Sequence, residues 1–79
     1  GFPPLQPDMD PAHWTKIMSR DFEDFQSHHK SGLDRYGATN PAEFFAVLSE
    51  VFFETPQKLI EAYPDIYDIM VKFFRQTPL

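Results

Sequence analysis

The fold turns on Tyr36 to Glu54, YGATNPAEFFAVLSEVFFE. Asn40 is a favoured helix N-cap, because its side-chain oxygen can accept a first-turn amide. Pro41 suits the first helical position, where a missing N–H costs nothing. Glu43 then falls at the third position, a pattern close to a capping box with Asn in place of Ser or Thr. Phe44, Phe45, Leu48, Val51 and Phe52 follow at helical spacing and form one broad apolar face. Ala46 and Phe53 fall off that face and predict a second buried side. The helix is expected to stop near Glu54, because Thr55-Pro56 opens another.

The same signals recur outward from this segment. Residues 1–9, GFPPLQPDM, hold three prolines. They read with residue 10 as an extended arm. Asp10-Pro11 is a second cap followed by proline. Trp14, Ile17, Met18, Phe22 and Phe25 then predict a helix over about 11–28. The stretch HHKSGLDRYGATN, punctuated by Gly32 and Gly37, reads as a loop. A short third helix is predicted over about 56–63, anchored by Leu59, Ile60 and Tyr63. Pro64 interrupts it. Ile66, Ile69, Met70, Phe73 and Phe74 predict a fourth helix that ends before Pro78. No alternating strand pattern is present. The reading is all-α: residues 1–79 form one domain or part of one, with an arm at 1–10 and helices over 11–79.

Composition narrows the function classes. The 79 residues carry 12 acidic and 7 basic side chains, a net charge of −5. Without a basic cluster, such a chain is not expected to bind nucleic acid. An anionic membrane surface is equally disfavoured. No apolar run reaches the roughly 18 residues of a membrane span, and no signal-peptide pattern is visible. There is no cysteine, which fits a reducing compartment, and a cytoplasmic location is expected. Nine Phe, three Tyr and one Trp supply the apolar bulk that a chain this short needs. The opening Gly in place of Met leads to the expectation of a fragment boundary or of processing from a longer precursor.

Glu43 carries the functional question. At 100° per residue, Glu43, Glu50 and Glu54 share a band of about 40° between apolar arcs. One reading is a solvated edge, with Glu43 serving the first-turn amides and the helix dipole. The other makes Glu43 a metal ligand or an acid–base group, since zinc accepts one carboxylate beside two imidazoles. Partners for a metal are scarce. His13, His28 and His29 are the only histidines, and adjacent His28 and His29 cannot readily grip one ion together. No HExxH occurs. Spacing alone therefore gives no complete site.

The segment DRYGATNPAEFFAVLSEVFFETPQKLIEAYPDIYDIMVKFFRQTPL, Asp34 to Leu79, resembles the C-terminal part of the Mlc titration factor A family, also called DgsA anti-repressors. These are bacterial zinc-dependent peptidases of the gluzincin type. YGATNPAEFFAVLSE, FFETP and QTPL carry the likeness. The first 33 residues are similar more loosely: GFPPL looks like the segment just after the family's HExxH helix. The resemblance implies an α+β, zincin-like fold related to the catalytic domain of anthrax lethal factor, of which this chain is a helical fragment. It implies that Glu43 is the third zinc ligand and Tyr36 the donor to the oxyanion of a tetrahedral intermediate. Glu50 could orient a ligand histidine, while Asn40 remains a helix cap. Because the HExxH segment is absent, the chain alone is expected to be inactive. A proteolytic fragment, a deliberate truncation and a natural short protein all fit.

Three functions follow as expectations: the C-terminal part of an aminopeptidase-like zinc peptidase, a non-catalytic helical module binding a transcriptional repressor such as Mlc, or a small helical domain without chemistry. If the aromatics are the torn face of a larger core, the chain should self-associate.

Overall fold

Proline opens every helix. The computed structural model describes residues 10–28, 30 and 32–74. Among them α1 spans Pro11–Ser27, α2 Pro41–Glu54, α3 Pro56–Ala62 and α4 Pro64–Phe74, with a 3₁₀ turn at Arg35–Ala38. No strand occurs among the described residues. The predicted all-α reading holds, with helix ends within a residue or so of those expected. Residues 1–9, read as the arm, and residues 75–79, where the fourth helix is expected to end before Pro78, lie outside the described residues.

The capping chemistry explains the boundaries. The Asp10 carboxylate accepts the Ala12 N–H at 3.0 Å. Thr55 N–H donates to the Val51 carbonyl at 2.8 Å, and Tyr63 N–H to the Leu59 carbonyl at 2.7 Å. Each closes one helix directly before a proline that starts the next, so α2, α3 and α4 follow with single-residue joints. The interval read as a loop holds the unanticipated 3₁₀ turn, because Asp34 accepts the Tyr36 N–H at 2.9 Å.

Packing centres on Phe44, which has no exposure. Its ring centroid lies 5.4 Å from Phe22, 5.5 Å from Phe25 and 6.0 Å from Tyr63. One side chain thus ties α2 to α1 and to the joint before α4. Met18, Leu48, Phe52, Leu59, Ile66 and Met70 complete the fully buried set. The expected second buried side of α2 is not there. Ala46 is exposed, and Phe53 retains 46% of its surface. Phe53 does lean on Phe74, with ring centroids 4.8 Å apart. No helix of the described residues is long and apolar enough to cross a membrane.

Polar ties reinforce the contact of α1 with the C-terminal half. Arg20 grips buried Asp21 at 2.9 Å and reaches Asp65 of α4 at 2.9 Å. The Tyr63 hydroxyl donates to Asp24 at 2.9 Å. Lys30 stands 3.5 Å from the same carboxylate and 5.2 Å above the Tyr63 ring. Burial, and then the hydrogen bond to Asp24, pushes the Tyr63 phenol above its ordinary value. The hydrogen bond from Tyr63 holds Asp24 below the usual carboxylate range.

Two outcomes are expected. Phe44→Ala should cost about 3–5 kcal/mol, a large part of a small domain's stability, and a thermal melt followed by circular dichroism should lose its cooperative transition. For Tyr63 the fold favours the neutral phenol. Its stabilisation is complete below the ordinary tyrosine value of about 10 and is lost as pH rises through the higher folded value. Asp24 behaves oppositely: its contribution is complete above about pH 4 and is lost as pH falls through the lower folded value. Urea titrations should therefore show stability declining above about pH 10, and Tyr63→Phe should flatten that alkaline decline.

Candidate functional site

The 3₁₀ turn lies against α2, and these two elements carry the candidate residues. Gly37 makes the approach possible. A Cβ there would stand 3.2 Å from the Phe25 ring and 3.3 Å from Val47, closer than ordinary packing allows. With the turn pressed inward at Gly37, the preceding side chain is directed outward. Tyr36 is 58% exposed, and its hydroxyl has no hydrogen-bond partner among the described residues. Its backbone is fixed: the Tyr36 N–H goes to Asp34, and the Tyr36 carbonyl accepts the Thr39 N–H at 3.1 Å.

Glu43 is the third residue of α2 and is half-buried. Asn40 caps the helix by accepting the Glu43 N–H at 2.9 Å. The reciprocal bond of a full capping box does not form. The Glu43 carboxylate makes no hydrogen bond or ion pair among the described residues. It therefore stands at the positive end of α2 with its charge uncommitted.

Glu50 and Glu54, on the same stripe, are exposed. With Asp34, Gly32, Val47, Val51 and Thr55 they line a cleft of about 240 Å³. Three carboxylates line this space, and the Lys58 side chain lies against Gly32 at its edge. Glu50, expected beside a histidine, has none among the residues lining the cleft. Tyr36 and Glu43 do not line it either. Val47 connects the two regions, since it lines the cleft and also packs under Gly37.

Neither His13 nor His28 joins Glu43 in a metal-holding group. His13 is exposed on α1. His28 closes α1, 3.2 Å from Asp24, and His29 lies outside the described residues. No group of three or more His, Cys, Asp or Glu that could hold a metal occurs among the described residues. The donor set among the described residues thus does not fit a complete metal centre. It offers a half-buried carboxylate without a hydrogen bond or ion pair on α2, the helix against which the turn bearing the exposed phenol packs. Of the two residues that fix this geometry, Gly37 was read only as a loop glycine and Arg35 was not singled out from the sequence. The Asp34-x-Tyr36 spacing, typical of a side chain bonding its backbone two residues on, was the available signal for the turn.

The model of the family described as glucose-regulated metallo-peptidase M90 matches residues 1–75. Mlc titration factor A of Edwardsiella ictaluri is 38% identical over 85 residues, covering 100% of this chain and 32% of that protein. Its namesake from Pectobacterium atrosepticum is 39% identical over 82 residues, covering 96% of this chain and 31% of that protein. The Serratia proteamaculans protein of the same name is 38% identical over 85 residues, with 100% and 32% covered. The chain spans about a third of the length of these curated relatives. No solved structure matches it.

Proposed function

The chain belongs to the glucose-regulated metallo-peptidase M90 family, that of the Mlc titration factor A proteins, and from that premise we propose that it is the C-terminal part of a zinc-dependent, aminopeptidase-like peptidase in the cytoplasm. The observation that carries the reading is the half-buried Glu43 carboxylate, which makes no hydrogen bond or ion pair among the described residues and projects from a backbone that the Asn40 cap fixes in the first turn of α2. In this reading Glu43 is one zinc ligand, and the imidazole ligands and general base come from outside these 79 residues, within a zincin-like domain. Zinc so held supplies Lewis-acid polarisation of a peptide carbonyl.

The roles of this chain's own residues follow. The Tyr36 phenol, exposed and without a partner, donates a hydrogen bond to the oxygen on which negative charge develops. Asn40 keeps α2 in register so that Glu43 does not spend its carboxylate on capping. Glu50, one repeat along the stripe, orients a histidine supplied by the rest of the domain. With one ligand and no base, the 79-residue chain alone neither retains zinc nor cleaves peptides.

In the longer protein, Glu43→Gln should remove zinc, measured by elemental analysis. Peptide hydrolysis should fall by at least the roughly 10–100-fold that even outer-shell changes cause. Unchanged zinc content would overturn the assignment.

A second reading is a helical module that binds a transcriptional repressor. It draws on Phe53, 46% exposed, and on the half-buried Phe73 and Phe74 beside it. The relatives' name makes Mlc the first partner to try. Purified Mlc should be retained by the 79-residue chain and released by Phe53→Ser. Equal retention by the variant, or none by either, counts against this reading.

A further inference from the structure

We propose that Arg35 is a positioning residue for Tyr36: it clamps the 3₁₀ turn to the C-terminus of α1 and so sets where the phenol stands relative to α2. The inference rests on the reading of Tyr36 as the oxyanion donor.

The turn is weak by itself. It is closed at its two ends by backbone hydrogen bonds from the Gly37 N–H to the Asp34 carbonyl and from the Thr39 N–H to the Tyr36 carbonyl, both 3.1 Å. A 3₁₀ segment of this length has poor hydrogen-bond geometry and little intrinsic stability. Its order must come from outside. The last carbonyls of α1 have no partner within their own helix, and Arg35 meets two of them. Its guanidinium donates to the Phe25 carbonyl and, at 3.3 Å, to the Gln26 carbonyl. It also lies 5.1 Å over the Phe25 ring. In the reverse direction, the Gln26 side-chain amide donates to the Ala38 carbonyl at 3.2 Å. Tyr36 is therefore bracketed by anchors: Arg35 before it, and Gly37 and Ala38 after it.

Arg35 forms no ion pair with a carboxylate among the described residues. Its charge serves the negative end of α1 instead. The forked, planar guanidinium suits two neighbouring carbonyls and a ring face together, which a lysine ammonium cannot match. Because the Tyr36 hydroxyl has no hydrogen bond of its own, only this backbone support fixes its place. A misplacement of about 1 Å can cost on the order of 100-fold in rate.

The test has two arms. In the longer peptidase, Tyr36→Phe should lower kcat with little change in KM. Arg35→Met should also lower kcat, by about 10-fold or more, with KM and metal content unchanged. The double variant should be no slower than Tyr36→Phe, because both changes remove one function. Arg35→Lys should recover part of the loss; it also serves as the test if Arg35→Met does not fold, and a wild-type kcat for it overturns the proposal. Losses that multiply in the double variant overturn it as well. In the 79-residue chain, hydrogen exchange should quicken at the Gly37 and Thr39 amides of Arg35→Met while the Leu48 amide keeps its protection. Unchanged exchange in the turn sinks the clamp. If Tyr36→Phe leaves kcat intact, the reading of Tyr36 fails, while the exchange arm still reports on the clamp.

Discussion

Phe44 holds the chain together, and the placement of Glu43 depends on it. The ring sits without exposure among Phe22, Phe25 and Tyr63. Such pairs contribute about 0.5–1.5 kcal/mol each beyond the area they bury. Successive helical side chains diverge by about 100°. Once Phe44 is locked into the core, Glu43 must turn toward the rim. A buried aromatic and a presented carboxylate are thus adjacent consequences of one helix phase. The Asn40 cap adds the axial register, so the backbone position of Glu43 and the side of the helix it leaves from are both constrained.

A small core needs help from polar contacts, and here they concentrate on α1. Arg20 reaches Asp65, Asp24 accepts from Tyr63, and the carbonyls at the end of α1 receive Arg35. Each links α1 to a part of the chain distant in sequence. The prolines act differently. They start helices where the preceding residue has already closed one, which keeps the joints at Thr55 and Tyr63 to one residue. Short joints cost little loop entropy, and they force α2, α3 and α4 to pack as consecutive neighbours.

The same economy leaves part of the surface unmatched. Glu50, Glu54 and Asp34 line one cleft, and Phe53 keeps nearly half its surface. The matched relatives are about three times longer than this chain. A carboxylate stripe without partners among the described residues and an exposed aromatic leave charge that can still be matched and apolar area that can still be buried.

The helices were legible because their determinants are local. Asp10-Pro11, Asn40-Pro41 and Thr55-Pro56 mark starts, and apolar spacing names the buried face, so Phe44, Leu48 and Phe52 could be placed inside from sequence. The candidates Tyr36 and Glu43 came from a resemblance carried by YGATNPAEFF, not from spacing, which left Glu43 as readily a solvated cap. Only the tertiary structure decided the rest. Whether Glu43 closes a capping box depends on its rotamer against its neighbours, and it does not. Whether Phe53 is buried depends on what covers it, and among the described residues little does. Arg35 and Gly37 matter through Phe25 and Val47, residues about ten positions away on other elements. No local pattern encodes such contacts, because they exist only once separate helices have packed.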